Sequence, residues 1–453
     1  MKKLTVGEVA AAVGASACFD GEINEVCTDS RAVVPGCLFV CIAGDNFDGH
    51  NFARSAVEKG AAAVLCSKDT GCKNQITVPD TREALLLLAG YYRRIFSVPV
   101  VGITGSVGKT TIKEMTHAVF SSKFKTLKTK GNLNNEIGLP KTLFRLDDSF
   151  EAAVVELAMS GLGEISRLSK AAAPTMGIIG NIGVSHLEKL GTKENILKAK
   201  LEITDGMDDD APLILNGDDA KLYGAKVLCR PVYYYGIDNK FCRFKAYDIE
   251  TDGEGSSFTL DFGCGEQRVR LPAAGKHNIY NALAAFTAGF LISVEPESAA
   301  RALSRYEPSG MRQRVKRTAG ITFIEDCYNA SPESMEAAIS TLANTAAGKR
   351  IAVLGDMLEL GAAAEGMHRQ VGLLAARFGI DAVLTYGELS DETARSARRG
   401  GVKIAESFDD KNKLSESLLK IVKKGDAVLV KASRAMMLED VLNIVYGELE
   451  KDE

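Results

Sequence analysis

A chain of 453 residues is too long for one ordinary hydrophobic core, and at roughly 150 residues per domain it predicts about three domains. Its 46% hydrophobic and 25% charged residues are a globular composition, which excludes a disordered or fibrous protein. A net charge of −4 excludes a general attraction to nucleic acid or to an anionic membrane. The ten cysteines contain no C-x-x-C pair and no clustered histidines, so reduced, mostly buried thiols are expected in place of a zinc site or a disulfide framework.

Met1 to Ala17 opens with two lysines, but Thr5, Glu8 and Gly14 interrupt any apolar stretch, so an amphipathic helix of the mature chain is expected there, not a signal peptide. No apolar run is long enough to span a bilayer, and a cytoplasmic location is expected. Residues 1–96 alternate helix and strand signals, with strands expected over 38–42 and 62–66 and helices over 6–13, 51–59 and 82–96. Two polar loops stand out. Thr28-Asp-Ser-Arg31 precedes Pro35-Gly36, and Gly44-Asp-Asn-Phe-Asp-Gly-His50 follows a strand. An arginine among small donors suits a phosphate or sugar-nucleotide ligand, while two plain turns with an exposed arginine explain the same residues equally well.

The stretch from Val98 to Thr111 gives the strongest signal. A β-branched strand over 98–103 runs through the tight turn Gly105-Ser106-Val107-Gly108 into a helix opening at Lys109. Such a turn lets backbone N–H groups converge on anionic oxygens. Lys109 would neutralise terminal phosphates, and the Thr110 hydroxyl, with Thr111 behind it, could bind Mg²⁺. Five residues separate Gly102 from Gly108, so the loop reads as Thr104-Gly-x-x-Gly-Lys-Thr-Thr. A glycine-rich turn with a chance lysine is the bland alternative, but strand, turn and helix all fall where the motif needs them.

Next come an amide-rich turn, Lys130 to Pro140, with Asn134 and Asn135 as candidate oxyanion donors, and a strand over 152–155 ending on Glu156, a candidate metal ligand. A strand over 176–179 precedes His186. Periodicity leaves Lys200 on the solvated face of a helix over 194–203. A strand over 213–215, a hairpin over 258–271 and an alanine-rich helix beginning near Gly275 lead to a boundary near Pro308. Five further strand-helix repeats carry Asp326, Asp356 and Lys431-Ala-Ser-Arg434 at strand ends. The fold class expected is α/β with three domains: a small α/β domain over 1–96, a central P-loop parallel-sheet domain with a β-rich excursion over 97–309, and a Rossmann-like domain over 310–453.

In order and combination, Thr104-Gly-Ser-Val-Gly-Lys-Thr-Thr111, Gly131-Asn-Leu-Asn-Asn-Glu-Ile-Gly-Leu-Pro140, Ser185-His-Leu-Glu188, Ala199-Lys-Leu-Glu202 and Gly275-Lys-His-Asn-Ile-Tyr-Asn281 resemble the motifs of the Mur ligases of peptidoglycan synthesis, over essentially the whole chain. Asp326-Cys-Tyr-Asn-Ala-Ser-Pro332 and Gly355-Asp-Met-Leu-Glu-Leu-Gly361 are similar to the branch that adds D-alanyl-D-alanine. The Asp-Asn-Pro-Arg motif of the diamino-acid-adding branch does not occur. Ala158 and Ala432 stand where such motifs carry glycine.

The resemblance implies that ATP phosphorylates the terminal carboxylate of UDP-N-acetylmuramoyl-tripeptide and that the amine of D-Ala-D-Ala then attacks. It implies Lys109, His186 and Lys200 as catalytic residues. Thr110 and Glu156 would hold one Mg²⁺, and His186 with an N6-carboxylated Lys200 a second. Asn278 and Asn281 would hold adenine, Arg312 the phosphates and Asp326 the ribose. Ser30, Arg31, Asn46, Asp48, Gly49 and His50 would grip the UDP group. A monomer is expected, without nucleic-acid or membrane partners. A folylpolyglutamate-synthetase-like ligase, a non-enzymatic P-loop switch and a partner-remodelling P-loop ATPase are the alternatives.

Overall fold

Beside a short antiparallel pair of Leu4–Thr5 with Glu22–Ile23, three larger β-sheets succeed one another along the chain, and the computed structural model describes residues 1–44, 47–225, 230–251, 255–308 and 310–450 of it. The first sheet pairs Glu25–Cys27, Cys37–Val40, Ala63–Cys66 and Gln75–Thr77, all parallel and in chain order. Six cysteines are buried, four of them in one apolar cluster of this domain, where they serve as small hydrophobes. Cys229 lies outside the described residues.

The central sheet has nine strands. Val100–Thr104 lies between Ala152–Glu156 on one side and Met176–Ile179 on the other, all parallel. The chain winds first to one side of this strand and then to the other, so a crevice opens beyond its carboxyl end, where ligands of open α/β sheets gather. The expected β-rich excursion is the antiparallel run Phe244–Thr251, Ser256–Asp261 and Glu266–Leu271 at the far edge. The third sheet orders Arg314–Thr318, Ile321–Asp326, Ala427–Lys431, Arg350–Gly355, Ala382–Tyr386 and Ile404–Phe408, with only the first antiparallel. An apolar cluster covers each of its faces.

Several strands escape a periodicity reading, notably Glu25–Cys27, Gln75–Thr77, Thr126–Lys128 and Arg314–Thr318. Each is a sheet edge. Edges need less apolar surface, and Arg314–Thr318 carries Arg314, Lys316 and Arg317 in five residues.

The helix Thr81–Arg93 joins the first two domains and shares one apolar cluster with both. At its end Arg93 is buried and donates to the carbonyls of Ala172, Phe96 and Val98 at 3.0, 2.6 and 3.1 Å. Burial pushes its guanidinium down to about 10, and main-chain oxygens compensate the charge that remains.

Tight packing recurs where the turn Glu202–Gly206 crosses the helix Glu164–Ala172: a Cβ on Gly206 would lie 2.1 Å from the Ser169 carbonyl oxygen. Backbone cannot yield as a side chain does. Gly206→Ala is expected to lose about 1–3 kcal/mol of stability, and an unchanged denaturant midpoint would contradict this.

Candidate active site

The phosphate loop is built as its sequence predicts, with one further part. Gly108, at φ 80°, turns the chain into the helix Lys109–Ser121. A side chain there would face left-handed strain and would meet Asn281 Oδ1 at 2.8 Å. Asn181, in the loop after the neighbouring strand, accepts from the N–H groups of Ser106 and Val107 at 3.1 and 2.9 Å and donates to Val107 O at 3.0 Å. The backbone N–H groups of Ser106 and Val107 therefore hold the loop's shape. The N–H groups left to meet an anion include those of the first helical turn, Lys109, Thr110 and Thr111, which lack intrahelical acceptors. Lys109 arches back to donate to Gly105 O at 2.8 Å. Burial lowers its pKa, and Glu156 opposes that shift.

Glu156 ends its strand facing the loop. Its Oε2 accepts from Thr110 Oγ1 at 3.0 Å and its Oε1 from Asn134 Nδ2 at 2.8 Å. Behind it, fully buried Lys113 stands 3.9 Å from Oε2 and 3.1 Å from Glu114. Asn134 is thus a second support of the carboxylate. Asn135 Oδ1 instead accepts from the Gly138 N–H at 2.8 Å, starting the helix Gly138–Leu143. A hydroxyl beside a carboxylate is a hard-oxygen pair that fits Mg²⁺. Among the described residues no three His, Cys, Asp or Glu side chains cluster, so a cation here would draw on few protein oxygens and on its substrate's phosphates.

His186 adopts a left-handed φ of 63°, and its Nδ1 lies 2.7 Å from Glu359 Oε2 of the C-terminal domain. Burial lowers its pKa, the Lys109 cation adds to the shift, and Glu359 opposes it. Lys200 is 1% exposed, which corrects the solvated face that periodicity gives it. It lies four residues after buried Ile196 on the helix Lys193–Leu201, and so shares that inward face. Among the described residues no carboxylate pairs with it. Burial, reinforced by Lys109, takes its pKa well below the ordinary 10.5.

Central and C-terminal domains together enclose a cavity of about 890 Å³, the size of a small-molecule site. Residues 106–111, Glu156, Asn278, Asn281, Arg312 and Asp326 all line it. Asn278 donates to Ala274 O at 2.8 Å, and the Arg312 guanidinium lies 3.8 Å from the Tyr328 ring centre. Asp326 is paired at 2.7 Å with buried Lys431, which also donates to Asn329 O. Asn181, Lys113, Tyr328 and Glu333 escape the sequence reading. Tyr328 could have been found inside its motif, but the others depend on long-range contacts. The alanines at 158 and 432 are not among the left-handed residues, and the Ala432 methyl fills the space over Gly355.

The residues expected to grip UDP are more scattered. Arg31 is exposed and held bidentately by Asp29 at 3.0 and 2.8 Å, while the Ser30 carbonyl accepts from Lys59. His50 is buried, its Nδ1 2.5 Å from Asp48 and its Nε2 accepting from the Ser67 N–H at 2.9 Å. Lys68 and the His50 N–H hold the Asp48 carboxyl well below the usual range. Gly49 presses on the backbone of Ile42, where a Cβ would come within 2.7 Å. Asn46 lies outside the described residues.

Family models for the Mur ligase family catalytic domain, the Mur ligase middle domain and the Mur ligase glutamate ligase domain match residues 22–93, 103–289 and 311–434. The UDP-N-acetylmuramoyl-tripeptide–D-alanyl-D-alanine ligase of Bacillus subtilis (strain 168) is 40% identical over 93% of this chain and 92% of its own length. The chain belongs to the Mur ligase family. The ligase of the same description from Escherichia coli (strain K12) is 36% identical over 93% of this Mur ligase and 94% of its own length. Crystal structure I of MurF from Acinetobacter baumannii superposes with a TM-score of 0.92 at 29% identity, covering 99% of both chains. MurF from Thermotoga maritima in complex with ADP gives 0.87 at 30% identity, covering 95% of this chain and 98% of that one. A Mycobacterium tuberculosis folylpolyglutamate synthase, at 16% identity over 81% of this chain and 95% of its own with a TM-score of 0.62, shares the fold alone.

Proposed function

We propose that this Mur ligase joins D-Ala-D-Ala to UDP-N-acetylmuramoyl-tripeptide at the cost of ATP, as its relatives of that description do. The observation that carries the reading is the shared cavity. The phosphate loop, the Thr110–Glu156 oxygen pair and the Asn278–Asn281 helix all face it.

A carboxylate is a poor electrophile, so the γ-phosphoryl group is first transferred to the tripeptide's terminal carboxylate, giving an acyl phosphate and ADP. The dipeptide amine then attacks the acyl carbon, the C–O bond to phosphate breaks, and the amine's proton leaves with the released phosphate or to solvent. Lys109 and the first-turn N–H groups hold the phosphate oxygens as charge shifts among them. Mg²⁺ bound at Thr110 and Glu156 would neutralise phosphate charge during transfer. For a second cation, His186 offers an imidazole nitrogen. Lys200 could offer oxygen only as N6-carboxylysine, formed when its neutral amine adds CO₂ and releases a proton. An uncompensated buried amine favours that change. Adenine contact by Asn278 and Asn281, phosphate contact by Arg312, ribose contact by Asp326 and UDP contact by Ser30, Arg31, Asn46, Asp48, Gly49 and His50 belong to the same proposal, as do the monomeric state and cytoplasmic location.

The test combines protein, ATP, Mg²⁺, the UDP-tripeptide and D-Ala-D-Ala and follows phosphate with product mass. Phosphate release dependent on both acceptors, with a pentapeptide product, is expected. Release indifferent to the dipeptide would overturn the reading and favour a hydrolytic P-loop ATPase. Replacement of outer-shell metal partners weakens metal affinity by about 10–100-fold, so Glu156→Ala is expected to raise the Mg²⁺ requirement at least about tenfold. An unchanged Mg²⁺ titration would return Glu156 to a supporting role.

A further inference from the structure

The loop between Asn181 and Glu188 belongs physically to two domains. On its central-domain side, Asn181 shapes the phosphate loop, and the Gly183 N–H donates to Ser106 Oγ at 2.8 Å. On the other side, Val184 is buried in a C-terminal-domain apolar cluster and Leu187 packs against it. His186 Nδ1 meets Glu359 Oε2 in a contact whose two residues both have left-handed φ, 63° and 64°. Such strain persists only where surroundings hold it.

Glu333 stands at the centre of this contact. It occupies the first turn of the C-terminal-domain helix Pro332–Asn344, and its Oε1 accepts from the Val184 N–H at 2.9 Å. Its Oε2 is buried without a hydrogen-bond partner. The carboxylate lies flat on Gly183, where a Cβ would meet Oε1, Cδ and Oε2 at 2.8, 2.9 and 3.1 Å. Gly183 is not among the glycines with left-handed φ, so this carboxylate, not the backbone, explains the missing side chain. A half-buried glutamate on the cavity wall whose Oε2 is sealed off and unsatisfied is costly and calls for a reason beyond packing.

We infer that Glu333 is a positioning residue: by holding the Val184 N–H it seats the Asn181–Glu188 loop against the C-terminal domain, and so couples domain closure to the placement of Ser106 and His186. The inference rests on the ligase reading for its consequence in turnover, but not for the contact itself. One loop carries both attachments. A shift of Val184 away from the C-terminal domain is passed through Gly183 to Ser106 and through Ser185 to His186, with no other element between.

Two measurements test it on the full chain. Hydrogen exchange of the Val184 amide is followed with and without Mg²⁺ and a non-hydrolysable ATP analogue. Steady-state turnover is measured alongside. Glu333→Ala is expected to speed Val184 exchange and to lower kcat by about tenfold or more, with KM for ATP held within about threefold, because the nucleotide cradle stays intact while the closed arrangement is lost. Glu333→Gln keeps an oxygen to accept from Val184 and is expected to restore both readouts. Gly183→Ala, which displaces the carboxylate without touching Glu333 itself, is expected to move both in the same direction as Glu333→Ala.

Unchanged Val184 exchange in Glu333→Ala would overturn the proposal. So would a Glu333→Gln variant with normal exchange and a raised KM for the dipeptide alone, which would assign the carboxylate to the incoming ammonium. If the protein proves not to be this ligase, the exchange measurement still decides whether the contact exists.

Discussion

Lys109→Ala is expected to lower kcat by about 100–1000-fold, the effect of removing a preorganised group that meets developing charge in a water-poor site. Lys109 is half-buried, and its ammonium already lies over Gly105 O, so its charge is held in place before a phosphate arrives. The loop's shape should survive the change, since Asn181 holds Ser106 and Val107 independently. A melting temperature near that of the parent chain with turnover almost lost is therefore the expected pair of results. Near-normal turnover would remove Lys109 from the chemistry.

Lys200 should divide stability from activity. Its folded pKa lies well below the ordinary 10.5, so between the two values the unfolded chain binds more protons and stability rises with pH. At neutral pH the side chain costs stability either as a desolvated ammonium or as an amine stripped of its proton. Lys200→Met, apolar and of similar length, is expected to raise the melting temperature and to lower turnover by about 100-fold or more. In Lys200→Ala, a small added carboxylic acid should restore part of the rate by filling the vacated oxygen position. Full activity of Lys200→Ala without additives would end its assignment as a carboxylated ligand. An unmodified ammonium found in the parent chain with ATP and Mg²⁺ bound would end it as well.

The phosphate loop could be read directly because its parts are contiguous: strand, glycine turn and helix occupy Val100 to Ser121 without interruption. Glu156 was legible for a related reason, since a strand's last residue faces the crevice at the sheet's carboxyl end. Lys200 was not legible from periodicity. Its inward neighbours are Ile196 and Ala199, and which face of so polar a helix turns inward is decided by tertiary packing. Only the family motif pointed to it. Asn181 and Glu333 are harder still, because their partners lie 74 and 149 residues away in sequence. The edge strand Arg314–Thr318 was lost to its charge, and the others, of three residues each, to their brevity.

Arg93 bears on how the molecule can move. Its guanidinium is bound to carbonyls on both sides of the first junction, and the apolar cluster there runs unbroken from Leu4 to Leu222. Parting those two domains would strand a cation and wet a continuous core. Between the central and C-terminal domains, by contrast, the apolar contact shared among the described residues centres on Val184 and Leu187, beside polar links that water can replace. The protein thus has one stiff joint and one soft one. Substrate entry and product exit are expected to use the soft joint, so a cross-link across it should throttle catalysis, whereas one across the stiff joint should pass unnoticed.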